Sequence, residues 1–182
     1  MHKVKDINGL YDLYYAGNIE LRNIIRIHSE QVAKKALQII EHRQLPVNRE
    51  FVYSAALLHD IGVVKCNAPD IHALGNLPYI CHGVEGRKML ESQGLPEYAL
   101  VCERHTGSGI SKYQIIHQNL PLPLRDMLPV SMEEKLICYA DKFYSKSHDL
   151  TKEKSLDEIK NQIRGFGKDA FQRFMQLHDL FS

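Results

Sequence analysis

His59 and Asp60 interrupt an apolar run, "AALLHDIGVVK", that spans residues 55–65. Val52, Ala55 and Ala56 mark a buried stripe, and His59 continues it at i+7, i+4 and i+3, with Asp60 at i+4 from Ala56. A buried carboxylate without a partner costs several kcal/mol, so it is neutralised, paired or metal-bound. Other polar residues fall on apolar faces in the same way. His28 lies between Ile24 and Val32 at four-residue spacing, and Asp141 follows Ile137 and Ala140. His105 follows Tyr98 and Val101, and His82 stands one turn before Gly86 and two turns before Met89. Carboxylates with neutral imidazoles form a nitrogen and oxygen ligand set that suits iron, manganese, nickel, cobalt or zinc. It lacks the thiolates of a structural zinc site. A lone histidine on an apolar face is more often a hydrogen-bonded core residue. The joint pattern, on separate helices able to converge, is much rarer by chance.

The elements that must position these residues read as helices throughout. Asn18 caps a long amphipathic helix over "NIELRNIIRIHSEQVAKKALQIIEHRQ", and Asn48 caps a second over "NREFVYSAALLHD". "CNAPDIHALGNLPYIC" has turn formers and no period, which predicts a loop. "HGVEGRKMLESQG" is a third helix closed by Gly94, and "LPEYALVCERH" a fourth with Pro96 in its first turn. "SKYQIIHQN" is a short helix and "LPLPLRDMLP" an extended connection. Ser131 with Glu134, and Ser155 with Glu158, read as capping boxes, and the last helical stretch breaks near Gly165–Gly167. No strand pattern, repeat or low-complexity linker stands out. The fold class is all-α, one domain over residues 1–182, with a core at about 19–147 and a C-terminal helical extension at 148–182.

The chain has 182 residues, enough to bury a real core, and its charges nearly cancel at +1. No basic face or acidic tail stands out, so neither a nucleic acid duplex nor a membrane surface is implied. Cys66, Cys81, Cys102 and Cys138 have irregular spacings, which predicts free thiols in a reducing cytosol. The N-terminal stretch has no apolar signal core, and no run is long enough to span a bilayer. The expected location is cytoplasmic.

The order His28, His59-Asp60, Asp141 resembles the H…HD…D signature of the HD superfamily of metal-dependent phosphohydrolases, and "LLHDIG" matches the form that its sequences commonly take. His82 and His105 fall where the two-metal branches carry extra histidines. "RHTGSGI" and "SMEEKLICYADKFYSKS" are similar to segments of the bacterial HD enzymes that split diadenosine tetraphosphate symmetrically. They are closer still to small single-domain HD hydrolases of unassigned substrate. The resemblance covers roughly Ile19 to Ser147. It implies a helical HD bundle around a metal centre of one or two divalent ions, and hydrolysis of a phosphoester or phosphoanhydride of a nucleotide or another small phosphorylated substrate. A homodimer is compatible with it. The chain departs from the cyclic-dinucleotide phosphodiesterases, whose H-H-E-x-x-D-G-x-G-Y-P stretch has no counterpart in "RHTGSGISKYQ". It also has Val63 and Val64 where many HD sequences have a lysine directly after "HDIG", so that the lysine is Lys65.

On this resemblance His28, His59, Asp60 and Asp141 hold one ion, and Asp60 bridges to a second ion on His82 and His105. Two ions 3.5–4 Å apart can share a hydroxide and clamp both oxygens of a displacement at phosphorus, and bound water reaches a pKa of about 7. Asp60 is therefore placed in the catalytic set, and Lys65 and Arg104 are the candidates to orient phosphate, with solvated surface cations as the competing reading. His72 and Cys81 are a loop residue and a packed thiol. His42, His117, His148 and His178 have no converging partners, and the glycines of "GSG" at 107–109 let the backbone turn near the site. A mixed-valence di-iron oxygenase with the same ligand set, and a non-catalytic nucleotide-binding module, stay open as alternatives.

Overall fold

Side-chain caps start most of the elements that carry the site. In the computed structural model, which describes residues 6–147 and 149–182, the chain forms α1 (Ile7–Tyr14), α2 (Ile19–Arg43), α3 (Arg49–Leu58), α4 (His82–Ser92) and α5 (Pro96–Arg104). These are followed by α6 (Lys112–His117), α7 (Met132–Ala140), α8 (Leu156–Arg164) and α9 (Lys168–Phe181). Asn18 Oδ1 accepts from Leu21 N and Asn48 Oδ1 from Phe51 N, both at 3.0 Å, which satisfies donors that a helix start leaves free. Ser155 and Glu158 form a reciprocal capping box at α8. At α7 only half of the expected box exists. Ser131 accepts from Glu134 N, but the Glu134 carboxylate turns to Val130 N at 2.8 Å and to Arg104.

The fold is all-α. Among the described residues a single hairpin of two-residue strands, β1 (Asn67–Ala68) and β2 (Ala73–Leu74), brackets the 3₁₀ turn Pro69–Ile71 inside the segment expected to be a loop. Strands this short leave no period-two pattern to read. The helix α1, absent from the sequence reading, is pinned to α3 by Tyr11, whose hydroxyl donates to Leu57 O at 2.6 Å. "LPLPLRDMLP" is non-helical and covers a small cluster of Ile110, Ile115, Leu122 and Met127 with Cys81 and Val84.

The main core runs through α1–α5 and α7–α9, from Leu10 to Phe181. In α2 it takes Leu21, Ile25, Val32, Ala36 and Ile40 along one face. The C-terminal pair belongs to it through Ile159, Ile163 and Phe174, and the Phe174 ring stacks 5.9 Å from that of Tyr139 on α7. Small residues set the closest approach. A Cβ on Gly62, in the 3₁₀ turn Ile61–Lys65, would stand 2.1 Å from His82 O, and one on Gly83 would stand 2.6 Å from Cys102 O. Both lie far inside van der Waals contact, so glycine is what lets α4 wedge between that turn and α5.

Candidate metal centre

Three helices end at one point. His59 follows the last residue of α3, His105 that of α5 and Asp141 that of α7, while His82 opens α4 and His28 sits in the middle of α2. The C-terminal ends of α3, α5 and α7 turn the negative ends of their dipoles towards the same volume, which favours a cation there. All six residues expected to hold metal are buried.

One local device orients three of the four imidazoles. The Nδ1 of His59 donates to Ala56 O at 2.6 Å, that of His82 to Tyr79 O at 2.7 Å and that of His105 to Cys102 O at 2.8 Å. Each acceptor lies three residues upstream, and Ala56 and Cys102 carry carbonyls that the ends of α3 and α5 leave without a helical partner. A proton held on Nδ1 leaves Nε2 with its lone pair aimed inward, the arrangement a metal-binding histidine needs.

The ligand atoms form two groups that share Asp60. His28, His59, Asp60 and Asp141 each offer one atom within 4.8 Å of all the others, and so do Asp60, His82 and His105. Asp60 Oδ2 lies 3.3 Å from His28 Nε2 and 3.1 Å from His59 Nε2, while its Oδ1 lies 3.5 Å from His82 Nε2 and 3.4 Å from His105 Nε2. Asp141 Oδ1 completes the first group, 2.9 Å from His28 Nε2 and 3.4 Å from His59 Nε2. His59 Nε2 and both oxygens of Asp60 are buried without a hydrogen bond of good geometry, although the Lys146 ammonium stands 2.7 Å from Asp60 Oδ2. Buried polar atoms of this kind are normally satisfied, so a donor set that leaves them over is chemistry suited to a cation. The cluster fits a divalent metal site, made of imidazole nitrogens and carboxylate oxygens with no thiolate.

Electrostatics divide the histidines. Burial alone would depress the His59 imidazole, but the carboxylates of Asp60 and Asp141 outweigh it and raise its pKa to about 9. Burial, helped by the neighbouring His105, lowers His82 to about 3, and burial also lowers His105. Burial would raise the two carboxyls, yet both stay well below the usual range. His59 and Lys146 hold Asp60 there, and Lys142 and Lys146 hold Asp141.

A cavity of about 550 Å³ opens above the cluster, with His82, His105 and Asp141 on its floor. Lys142, Lys146 and Lys154 are among its lining residues, and Ile80, Ile163 and Phe166 supply apolar wall. Lys142 pairs with Asp141 Oδ2 at 2.6 Å and donates to His105 O at 3.2 Å, which leaves Asp141 Oδ1 turned to the ligand group. The three lysines were not singled out by the sequence reading. Lys142 and Lys146 lie in "ADKFYSKS", directly after the last aspartate, and that adjacency was the available signal.

The structure does not bring Lys65 or Arg104 to this cavity. Lys65 is exposed at the end of the turn after Asp60, and Arg104 binds both oxygens of Glu134 at 3.0 and 2.9 Å. His72 is exposed in the hairpin with φ of 60°, Cys81 faces Pro121 O at 3.5 Å, and all four cysteines are buried and free. His42 and His117 are exposed, and the His117 ring stacks on Tyr113. His178 Nδ1 lies 2.9 Å from the Tyr139 hydroxyl. His148 lies outside the described residues. Gly107 and Gly109, with φ of 62° and 82°, make the turn after His105, and Gly107 lines the cavity. No helix among the described residues is long and apolar enough to cross a membrane.

The HD domain matches residues 25–145. A tRNA (cytidine(56)-2'-O)-methyltransferase of Picrophilus torridus is 32% identical over 160 residues, which cover 87% of this chain and 41% of that protein. The methyltransferase of the same name from Thermoplasma volcanium is 26% identical over 181 residues, 98% of this chain and 47% of its own length. An uncharacterized protein of Methanocaldococcus jannaschii is 32% identical over 169 residues, 89% of each chain. The chain thus spans less than half the length of either methyltransferase. No solved structure matches.

Proposed function

The chain belongs to the HD-domain family, and from that premise we propose that it is a metal-dependent phosphohydrolase, acting on a phosphoester or phosphoanhydride of a nucleotide or other small phosphorylated substrate. The observation that carries this reading is the division of Asp60, one oxygen turned to His28 and His59 and the other to His82 and His105. A carboxylate placed in this way suits a bridge between two ions. His28, His59, Asp60 and Asp141 would hold one, and Asp60, His82 and His105 a second.

Divalent ions at such a centre supply Lewis acidity, which acidifies water near neutral pH and offsets phosphoryl charge. The chain's own residues do the rest. Carbonyls of Ala56, Tyr79 and Cys102 fix three imidazoles in the tautomer that presents Nε2. Lys142 keeps one oxygen of Asp141 occupied and so orients the other. Ile80, Ile163 and Phe166 offer an anionic group no charge, and Lys142, Lys146 and Lys154 supply the cations of the same cavity. The two relatives named as tRNA methyltransferases favour a second reading, in which the phosphorylated group is carried by RNA.

The test is a phosphoester and nucleotide panel, with short RNA included, assayed without oxygen and then in air, in protein reconstituted with iron and with manganese. Phosphate release with both metals is the expected result. Substrate-dependent oxygen uptake by the iron form alone, with no phosphoester cleaved, would assign the centre to an oxygenase instead.

A further inference from the structure

Lys146 and Lys154 are cations that the ligand assignment leaves over. The Lys146 ammonium lies 2.7 Å from Asp60 Oδ2 and 3.8 Å from Asp141 Oδ1. Those are the two carboxylate oxygens that the first ligand group turns inward. A metal–oxygen bond at this position is about 2.0–2.2 Å long. A divalent ion and an ammonium therefore cannot both sit on Asp60 Oδ2 without strong repulsion. Lys146 has somewhere else to go, because its flexible four-carbon stem lines the cavity. Lys154 lines the same cavity, and its ammonium donates to the neutral amide of Gln162 at 3.2 Å. Among the described residues no carboxylate lies within salt-bridge distance of it. A half-buried cation with only a neutral partner, beside a second cation that metal would release, is a place for an anion.

We propose that Lys146 has two positions, on Asp60 and Asp141 before metal binds and in the cavity afterwards, where it and Lys154 hold a phosphate group of the substrate. The inference rests on the metal-centre reading above and adds to it a substrate-binding pair. Metal loading then prepares the phosphate site, because the ion that displaces Lys146 is what frees its charge. Lys154 and Gln162 lie beyond the stretch that matches the HD domain, residues 25–145. Lys146 lies one residue past the match as well, so both cations of the phosphate site come from the segment that follows it.

The experiment titrates chelated full-length protein with manganese, then titrates the manganese-loaded protein with inorganic phosphate, both by calorimetry. Lys146→Met is expected to bind the first manganese at least about tenfold more tightly than the wild type, because a like charge a few ångströms from the ion has gone. Its loaded form should bind phosphate at least about tenfold more weakly, as a lost charge-assisted hydrogen bond requires. Lys154→Met should leave manganese affinity unchanged and weaken phosphate by a similar factor, and Lys146→Arg should restore phosphate affinity. Manganese binding by Lys146→Met that is equal to or weaker than that of the wild type, in protein whose circular dichroism is unchanged, would overturn the two-position role. Unchanged phosphate affinity in both methionine variants would overturn the phosphate site. Neither measurement needs turnover. A protein that shows these shifts but cleaves no phosphoester would refute the hydrolase reading and leave this one standing.

Discussion

Gly62→Ala should damage the second ligand group while leaving the first in place. The added methyl would stand 2.1 Å from His82 O and 2.3 Å from Gly86 N, both backbone atoms of α4. Real Cβ atoms essentially never approach closer than 3.0 Å, so the turn and the helix must separate by roughly 1 Å. Overpacking of this kind costs about 1–3 kcal/mol. In a chain of this size that lowers the unfolding midpoint by about 2–4 °C per kcal/mol. The chemical consequence is sharper than the thermal one. Metal–ligand distances in a sound site match their standard lengths within about 0.2 Å, so a displacement of roughly 1 Å takes a ligand out of that range. His82 opens the helix that is pushed away, whereas in the first group only Asp60 adjoins the turn, and His28, His59 and Asp141 sit on α2 and at the ends of α3 and α7. Bound metal, counted by elemental analysis after dialysis, should fall by about one equivalent per chain, with most of the helical circular dichroism retained. A variant with wild-type metal content and wild-type midpoint would refute the claim that close packing at Gly62 positions His82.

The other predictions concern charge and ligands. Chelated protein should be most stable near pH 6.5–7. His59, raised to about 9, contributes stability that is complete below its ordinary 6.5 and is lost as the pH climbs to 9, a fall of order 3 kcal/mol. His82, lowered to about 3, loses stability in the opposite direction, as the pH falls from 6.5, and below about 3.8 the depressed Asp60 and Asp141 add to that loss. Urea unfolding across pH 4–9 checks the dome, and stability that rises steadily from pH 7 to 9 would contradict it. Asp60→Ala should abolish metal binding and activity together, because it removes an atom from both ligand groups; full metal retention in that variant would sink the assignment. His82→Ala and His105→Ala should each release about one equivalent, and wild-type stoichiometry in both would make these histidines structural. Phe174→Ala should cost about 3–5 kcal/mol in urea unfolding, since the side chain is fully buried against α7. A cost below 1 kcal/mol would show that the C-terminal pair is not part of the core.

The buried imidazoles and carboxylates were legible because they break an apolar period. His28 and His59 each take a position that the three- and four-residue spacing reserves for a core residue, and such a substitution has few explanations. The cations around the cavity were not legible in this way. Arg104 adjoins His105 in sequence, but neighbours on a helix point about 100° apart, and Arg104 turns away to Glu134. That pairing also explains why Glu134 does not close its capping box. Lys65 follows Asp60 by five residues, yet the 3₁₀ turn Ile61–Lys65 carries it to the surface. Lys146 sits in an irregular stretch after the turn Asp141–Phe143, where no periodicity assigns a face. Lys154 depends on the path of a C-terminal segment that no local pattern dictates. The hairpin was hidden for a similar reason, its strands being two residues long.

The central claim is that water attacks phosphorus at the Asp60 centre. Its most direct test runs the best substrate of the panel in isotopically labelled water, with metal-loaded wild-type protein and with Asp60→Ala. The account predicts label in the released phosphoryl group with the wild type, none with the variant, and no dependence on oxygen. Phosphate released without water label, an organic product that takes up label in a parallel run under labelled molecular oxygen, or phosphate release by Asp60→Ala at the wild-type rate would contradict it.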